Sequence, residues 1–503
     1  MASKTKKDLI GVMLRGRRDI FTSADHVDES NVLTLVNEAL SQHFLNVDEE
    51  YYLYWYRRGE QPILERTKKR NAFVNNKVVE NHAQEFCTFK QGYFLMEPCA
   101  YVSRNDAAQA KVAKLNEYLY RSGKQTADNV VSDWFFTVGK GVIYVESNDD
   151  EDVPVRAYAV DPRSAFVVYS LRPGNKPVFG VNIVMAGEDT AKIDVYTRDK
   201  VFRLIGAKAG PRVTQYPVFA TVASEIVGVE ENPIPYIPLI EYRYNKTNTS
   251  CFELVIPLFN GINILRSNQI DGVEQFIQSI AVAVNCQFDE GTSVDKIKEA
   301  GMIVLSSIGD NKASFQILSE ELNQDQTETL VDSLYDQALR IAAMPTTARD
   351  GRGTYDSTGI AAIFNNGWEL AAADARNTED LFRESNAYFD EIITYILREK
   401  GLLDIKLSDF RLNFVRNETA NVQSKAQAAQ TMLASGLHPE IALKKSGLSG
   451  DPVADVERSQ KYLRMIWGDP DKVDEQEEQT TGTGEADIVE DERDTGEATE
   501  GNV

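Results

Sequence analysis

The chain has 503 residues, 42% of them hydrophobic. That is too long for one hydrophobic core and typical of a globular protein divided into roughly two to four compact units. No window approaches roughly 18 uncharged apolar residues, and Met1–Asp19 is basic and polar with no apolar centre. A membrane span and a secretory signal are therefore not expected, and the protein is expected to work inside a cell. The formal net charge is −23; residues 469–503 hold 14 Asp and Glu against Lys472 and Arg493, a net −12, so residues 1–468 carry the remaining −11. An acidic body argues against tight, sequence-independent DNA binding through basic patches, but not against DNA passing by without sticking.

In chain order, a basic N-terminal arm (1–27) precedes a helical pattern over 28–57. Phe73, Val78, Ala83, Phe86 and Phe89 continue near helical spacing until Gly92 and Pro98 stop them, and residues 108–138 carry another helix pair. Then the period changes. "KGVIYVES", "VRAYAVD", "SAFVVYS", "VFGVNIVMA", "KIDVYTRD", "KVFRLIG" and "IPLIEYRY" are short β-branched and aromatic runs parted by Gly, Pro, Asn and Asp, the mark of an antiparallel sheet. Residues 28–245 thus read as an α+β unit.

From residue 250 the pattern is helical again, with Leu258, Ile262, Leu265, Val273, Phe276 and Ile280 on one face and Pro257 tolerable near the first turn. A compact stretch at 281–322 reads as strands "VAVNCQF", "GMIVLSS" and "SFQILS" around a short helix at 294–299. A second helix follows, with Asn323 and Gln326 as a capping box and Leu330, Leu334, Ala338 and Ile341 as its apolar stripe, ended by Pro345. Beyond the Gly-rich "MPTTARDGRGTYDSTGIAAIF" (344–364), Asp356 or Ser357 caps a helix with only Gly367 to interrupt it before Gly401, about 43 residues or roughly 65 Å. "IKLSDFRLNFVRN" (405–417) reads as a strand and 421–467 as three short helices. The acidic tail after 469 lacks aromatics and nearly all large aliphatics, so it cannot offset its chain entropy and reads as disordered.

The chemistry of the chain is defined by what it lacks. Cys87, Cys99, Cys251 and Cys286 contain no Cys-x-x-Cys pair, and His26, His43, His82 and His438 are scattered, so neither a metal site nor a cofactor is expected. No phosphate-loop motif, G-x-G-x-x-G, His-x-x-x-His or G-x-S-x-G elbow occurs. The Gly-rich segment fails as a phosphate cradle, having no lysine and no preceding strand. It reads either as a plain connector or as a loop that touches something moving.

The order of elements, taken together, resembles the portal proteins of tailed bacteriophages, especially the SPP1-like branch, over about residues 30–465. "NNKVVENHAQEFCTFKQGYFLMEP" resembles that family's helix leading into a K-x-G-Y-x-x-x-x-P turn. "GKGVIYVESNDDEDVPVRAYAVDPRSAFVVYS" resembles its Gly-aromatic strand pair. "IPLIEYRYN" with Ser250, Leu258, Asn263 and Ser267 resembles its approach to the stem; "DSTGIAAIF" resembles the opening of its long helix; "LNFVRN" through "HPEIALKKSGLSGDPVADVER" resembles its returning strand and crown.

The resemblance implies a division into wing (28–250, with a long helix and returning strand over 358–420), stem helices (251–280 and 323–345), clip (281–322), tunnel loop (346–357) and crown (421–468). It implies a structural protein, not an enzyme, acting as a ring of twelve subunits at one capsid vertex of the virion, assembled in the host cytoplasm. Double-stranded DNA would pass through non-specifically during packaging and ejection. Arg349, Asp350, Gly351, Arg352, Gly353, Tyr355 and Asp356 would line the channel. The clip, with Lys296 and Lys298, would meet the terminase large subunit and later a head-completion adaptor, while major capsid and scaffolding proteins contact the ring and no membrane is involved. The alternatives are an intracellular hydrolase or nuclease whose carboxylates meet only in space, and another ring-forming head-tail connector.

Overall fold

Short runs of Val, Ile, Tyr and Phe become strands where alternate side chains find two different apolar surroundings, and this happens on both faces of the main sheet. The computed structural model describes residues 14, 16–68, 74–95, 97–186, 190–208, 221–277, 280–284, 286–287, 306–307, 314–318, 324–345, 367–414, 422–446, 448 and 452–467. It divides into residues 1–417 and 418–503. The first unit runs β1 (Ile20–Thr22), α1 (Val32–Arg57), α2 (His82–Phe94), β2 (Ala100–Ser103), α3 (Gln109–Arg121), α4 (Lys124–Val138), β3 (Lys140–Ser147), β4 (Val155–Val160), β5 (Ala165–Ser170), β6 (Pro177–Met185), β7 (Thr190–Tyr196), β8 (Lys200–Lys208), β9 (Thr221–Glu231) and β10 (Leu239–Arg243). It continues through α5 (Ile256–Ile277), β11 (Ile280–Val284), β12 (Cys286–Gln287), β13 (Ser306–Ser307), β14 (Ser314–Leu318), α6 (Gln324–Ile341), α7 (Trp368–Glu399) and β15 (Phe410–Asn413).

A six-stranded sheet ordered β1-β5-β6-β7-β8-β9 lies between helix α1 and a three-stranded sheet ordered β10-β3-β4. On β5, Phe166 and Val168 pack with Val32, Val36, Leu40 and Phe44 of α1, while Ala165 and Val167 pack with Val142, Ile237 and Leu239 on the other side. The far end of α1 sends Leu53 and Tyr56 into the larger core formed with α2 to α7, where Phe94, Phe135, Phe136, Phe382 and Phe414 meet edge to face or tilted. Strand β15 closes the unit by pairing antiparallel with β2.

Several expectations change. The expected arm is part of the body from Gly16 onward: β1 pairs in parallel with β5 in an otherwise antiparallel sheet, and Arg17 is 2% exposed. Of the helical spacing expected from Phe73 to Phe89, only α2 forms a helix among the described residues, and it passes through Gly92; residues 74–80 are extended and bonded elsewhere, as described below, and Phe73 lies outside the described residues. Strand β9 carries little signal in the sequence because Gly228 and three glutamates, Glu225, Glu230 and Glu231, dilute its apolar pattern at the sheet edge.

 The long helix does not run through Gly367, which takes a left-handed backbone (φ 75°). Helix α7 starts after it and spans 32 residues. On α6 the buried stripe is Val331, Ala338, Leu339 and Ala342, while Leu330 and Ile341 are 48% and 54% exposed. The apolar residues of α6 thus form two edges, and the core takes only one. In the 281–322 stretch, β11 pairs with β14 and β12 with β13, both antiparallel; the helix at 294–299 lies outside the described residues. The second unit has the three expected helices, α8 (Val422–Ala434), α9 (Pro439–Ser446) and α10 (Pro452–Trp467).

Candidate functional site

Helices α5 and α6 form an antiparallel pair: Gly261 lies against Leu334, and Arg266 bonds Glu328. One face of α5 is polar yet buried, with Asn263, Ser267 and Asp271 at 0–2% exposure and four-residue spacing. These side chains accept hydrogen bonds from an extended strap. Glu80 N donates to Asn263 Oδ1 (2.8 Å), Val78 N to Ser267 Oγ (3.0 Å) and Asn76 N to Asp271 Oδ1 (2.7 Å). Two residues of extended chain advance about 6.6 Å and four of helix about 6 Å, so the two repeats stay in register over three bonds. Arg66 and Lys68 also pair with Asp271; against its burial, the bonds from Lys68 and Asn76 hold its carboxyl below the usual range. The four-residue spacing of Asn263, Ser267 and Asp271 was the signal available in the sequence.

The residues on either side of the expected channel segment, 342–345 and 367–374, lie against the same helix. Helix α6 ends with Met344 N donating to Leu339 O (2.8 Å) and Ala343 at φ 52°, a left-handed turn that closes the helix. Lys90 of α2, 5% exposed, donates to Ala343 O (3.3 Å) and pairs with Asp374 of α7 (2.6 Å). Tyr244 OH donates to the same carboxylate (3.0 Å). At the other end, the Trp368 ring lies 6.0 Å from both Phe89 and Tyr93 of α2. Helix α2 therefore holds the residues on both sides of 346–366. Arg349, Asp350, Gly351, Arg352, Gly353, Tyr355 and Asp356 lie outside the described residues, as do Lys296 and Lys298. Lys90 is the lysine of the K-x-G-Y-x-x-x-x-P turn read from the sequence, but its partners Ala343 and Asp374, 253 and 284 residues away, and Tyr244 were not singled out there.

At the foot of α5, Arg17 binds both oxygens of Glu253 (2.9 Å each), Glu49 (3.2 Å) and Val138 O (3.1 Å). Nearby, a small polar cavity is lined by His43, Asn46, Glu50, Lys140, Phe166 and Glu241. Burial pushes the Glu50 carboxyl up to about 8 and the His43 imidazole down to about 4, so both are mainly neutral near neutrality. Lys140 is engaged by Asp19 (2.7 Å) and Glu241 (3.2 Å), and Glu241 also accepts from Val167 N and Tyr169 OH. Asp19, Lys140 and Glu241 thereby tie the N-terminal segment to both sheets. Among the described residues no group of His, Cys, Asp and Glu is arranged to hold a metal ion, and no helix is long and apolar enough to cross a membrane.

The family described as phage portal protein, SPP1 Gp6-like, matches residues 42–467, and the chain belongs to it. Its mixed helices and strands agree with the α+β class expected from the sequence. Membership makes the chain a structural, capsid-associated component of a virion that works as an oligomer. No curated protein is significantly similar to it.

Proposed function

We propose that the chain forms the dodecameric portal ring at one capsid vertex, the conduit for DNA packaging and ejection. In this reading α5 and α6 are the stem, 281–322 is the clip that docks the terminase large subunit and then a head-completion adaptor, and 346–357 is the tunnel loop. The observation that carries the reading is that the residues on either side of 346–366 are both held by α2: a loop between them, repeated around an axis, would make a collar on a fixed base. Exposed Ile264, Ile270 and Val273 on α5 and Leu330 and Ile341 on α6 support it, since adjoining subunits would cover them. The balanced charge of Arg349, Asp350, Arg352 and Asp356 suits contacts that form and break as DNA slides.

Negative-stain images of the purified protein test the ring: particles with an axial hole are expected, and monomers alone would refute it. The loop is tested separately by Gly351→Ala with Gly353→Ala, which should leave rings intact and stall packaging. Wild-type packaging would remove the loop assignment. Lys296→Glu with Lys298→Glu should weaken binding of the packaging motor to intact rings; unchanged binding would exclude those lysines from the contact.

A further inference from the structure

Cys87 and Cys251 lie 164 residues apart in sequence, yet their sulfurs are 3.6 Å apart. Both are buried, at 1% and 6% exposure. Their positions are set by the carbonyl of Phe136 at the end of α4. It accepts from Cys251 N (3.0 Å) and Ser250 Oγ (3.0 Å), and the Cys87 thiol points to it at 3.9 Å. One thiol sits on α2 and the other just before α5, so the two elements present their sulfurs to each other in van der Waals contact. A disulfide bond of about 2.05 Å needs an approach of only about 1.5 Å, within the reach of small side-chain rotations.

We propose that Cys87 and Cys251 are a redox pair that closes to an intrachain disulfide under a hydroperoxide, stapling α2 to the foot of α5. The first thiolate attacks one peroxide oxygen, forming an S–O bond and breaking O–O; with a proton, the leaving oxygen departs as water. The second thiol attacks the resulting sulfenic sulfur, forming S–S, and the hydroxyl leaves as a second water. Two thiols and one hydrogen peroxide thus give one disulfide and two waters. Burial raises the Cys251 thiol well above its ordinary range, against the opposing charges of Lys90 and Arg57, so closure is slow. Dithiol reductants reverse it.

The test treats the full-length protein with hydrogen peroxide, alkylates free thiols under denaturing conditions, and maps peptides without reduction. The expected result is a Cys87–Cys251 linked peptide as the main cross-link, absent after dithiothreitol, with Cys99 still alkylated. The linked protein should melt about 5 °C above the reduced one, since the bond closes a long loop. Cys251→Ala should abolish both the link and the shift. Recovery of both thiols alkylated, their conversion to sulfinic acids without a link, or linkage to Cys99 or Cys286 would overturn the pairing. A link without a melting shift would overturn the staple.

Discussion

Replacing Glu50 by Gln tests the buried polar cluster beneath α1. The Glu50 carboxyl stands at about 8 in the folded chain against 4.5 when exposed, chiefly through burial, with Arg17 the largest opposing charge. An acid raised in this way contributes stability fully below its unfolded value and loses it as the pH climbs through the folded one. Linkage then gives a loss of about 2 kcal/mol from Glu50 between about pH 6.5 and about pH 8.5. His43, lowered to about 4 in the folded chain against 6.5 when exposed, alters the profile equally in both proteins. Asp390, raised to about 7 by burial, adds a loss of about 0.8 kcal/mol over the same window in both proteins. Guanidinium unfolding followed by tryptophan fluorescence across this range should show Glu50→Gln gaining about 2 kcal/mol on the wild type as the pH rises. Parallel pH profiles for the two proteins would refute the burial of an uncharged Glu50.

Lys90→Met leaves Asp374 with Tyr244 alone and frees Ala343 O; because Asp374 is partly exposed, a loss of about 2 kcal/mol is expected, with faster hydrogen exchange at 342–344 and 368–371. Unchanged exchange there would mean that Lys90 does not hold the residues flanking 346–366. Gly139→Ala places a Cβ 2.0 Å from Asn248 O at φ 97° and should cost at least about 2 kcal/mol, whereas Gly92→Ala meets nothing within 4 Å in a helix and should stabilise by up to about 1 kcal/mol, both measured by denaturant midpoints. Arg349→Glu with Arg352→Glu should preserve rings and alter the DNase-protected DNA of virions in a salt-dependent way, since exposed charges are screened within about 8–10 Å. Wild-type retention at every salt would place those arginines away from DNA.

The sequence by itself determined what local periodicity and breakers encode. The helix pair at 108–138, strands β3 to β8 and β10, the start of α5 with Pro257 in its first turn, and the three C-terminal helices all follow from side-chain spacing and from Gly and Pro. The order of those elements carried the family. Tertiary structure decided what depends on distant partners. Residues 74–80 have apolar spacing compatible with a helix, but their N–H groups are taken by Asn263, Ser267 and Asp271, so they lie extended. Of the two apolar edges of α6, only the packing against α5 and α2 selects Val331 and Ala338 over Leu330 and Ile341. The site's anchor is the clearest case: Lys90, Tyr244, Ala343 and Asp374 come from four separate parts of the chain, and a buried ammonium finds its carboxylate only once the core has brought α2 and α7 together.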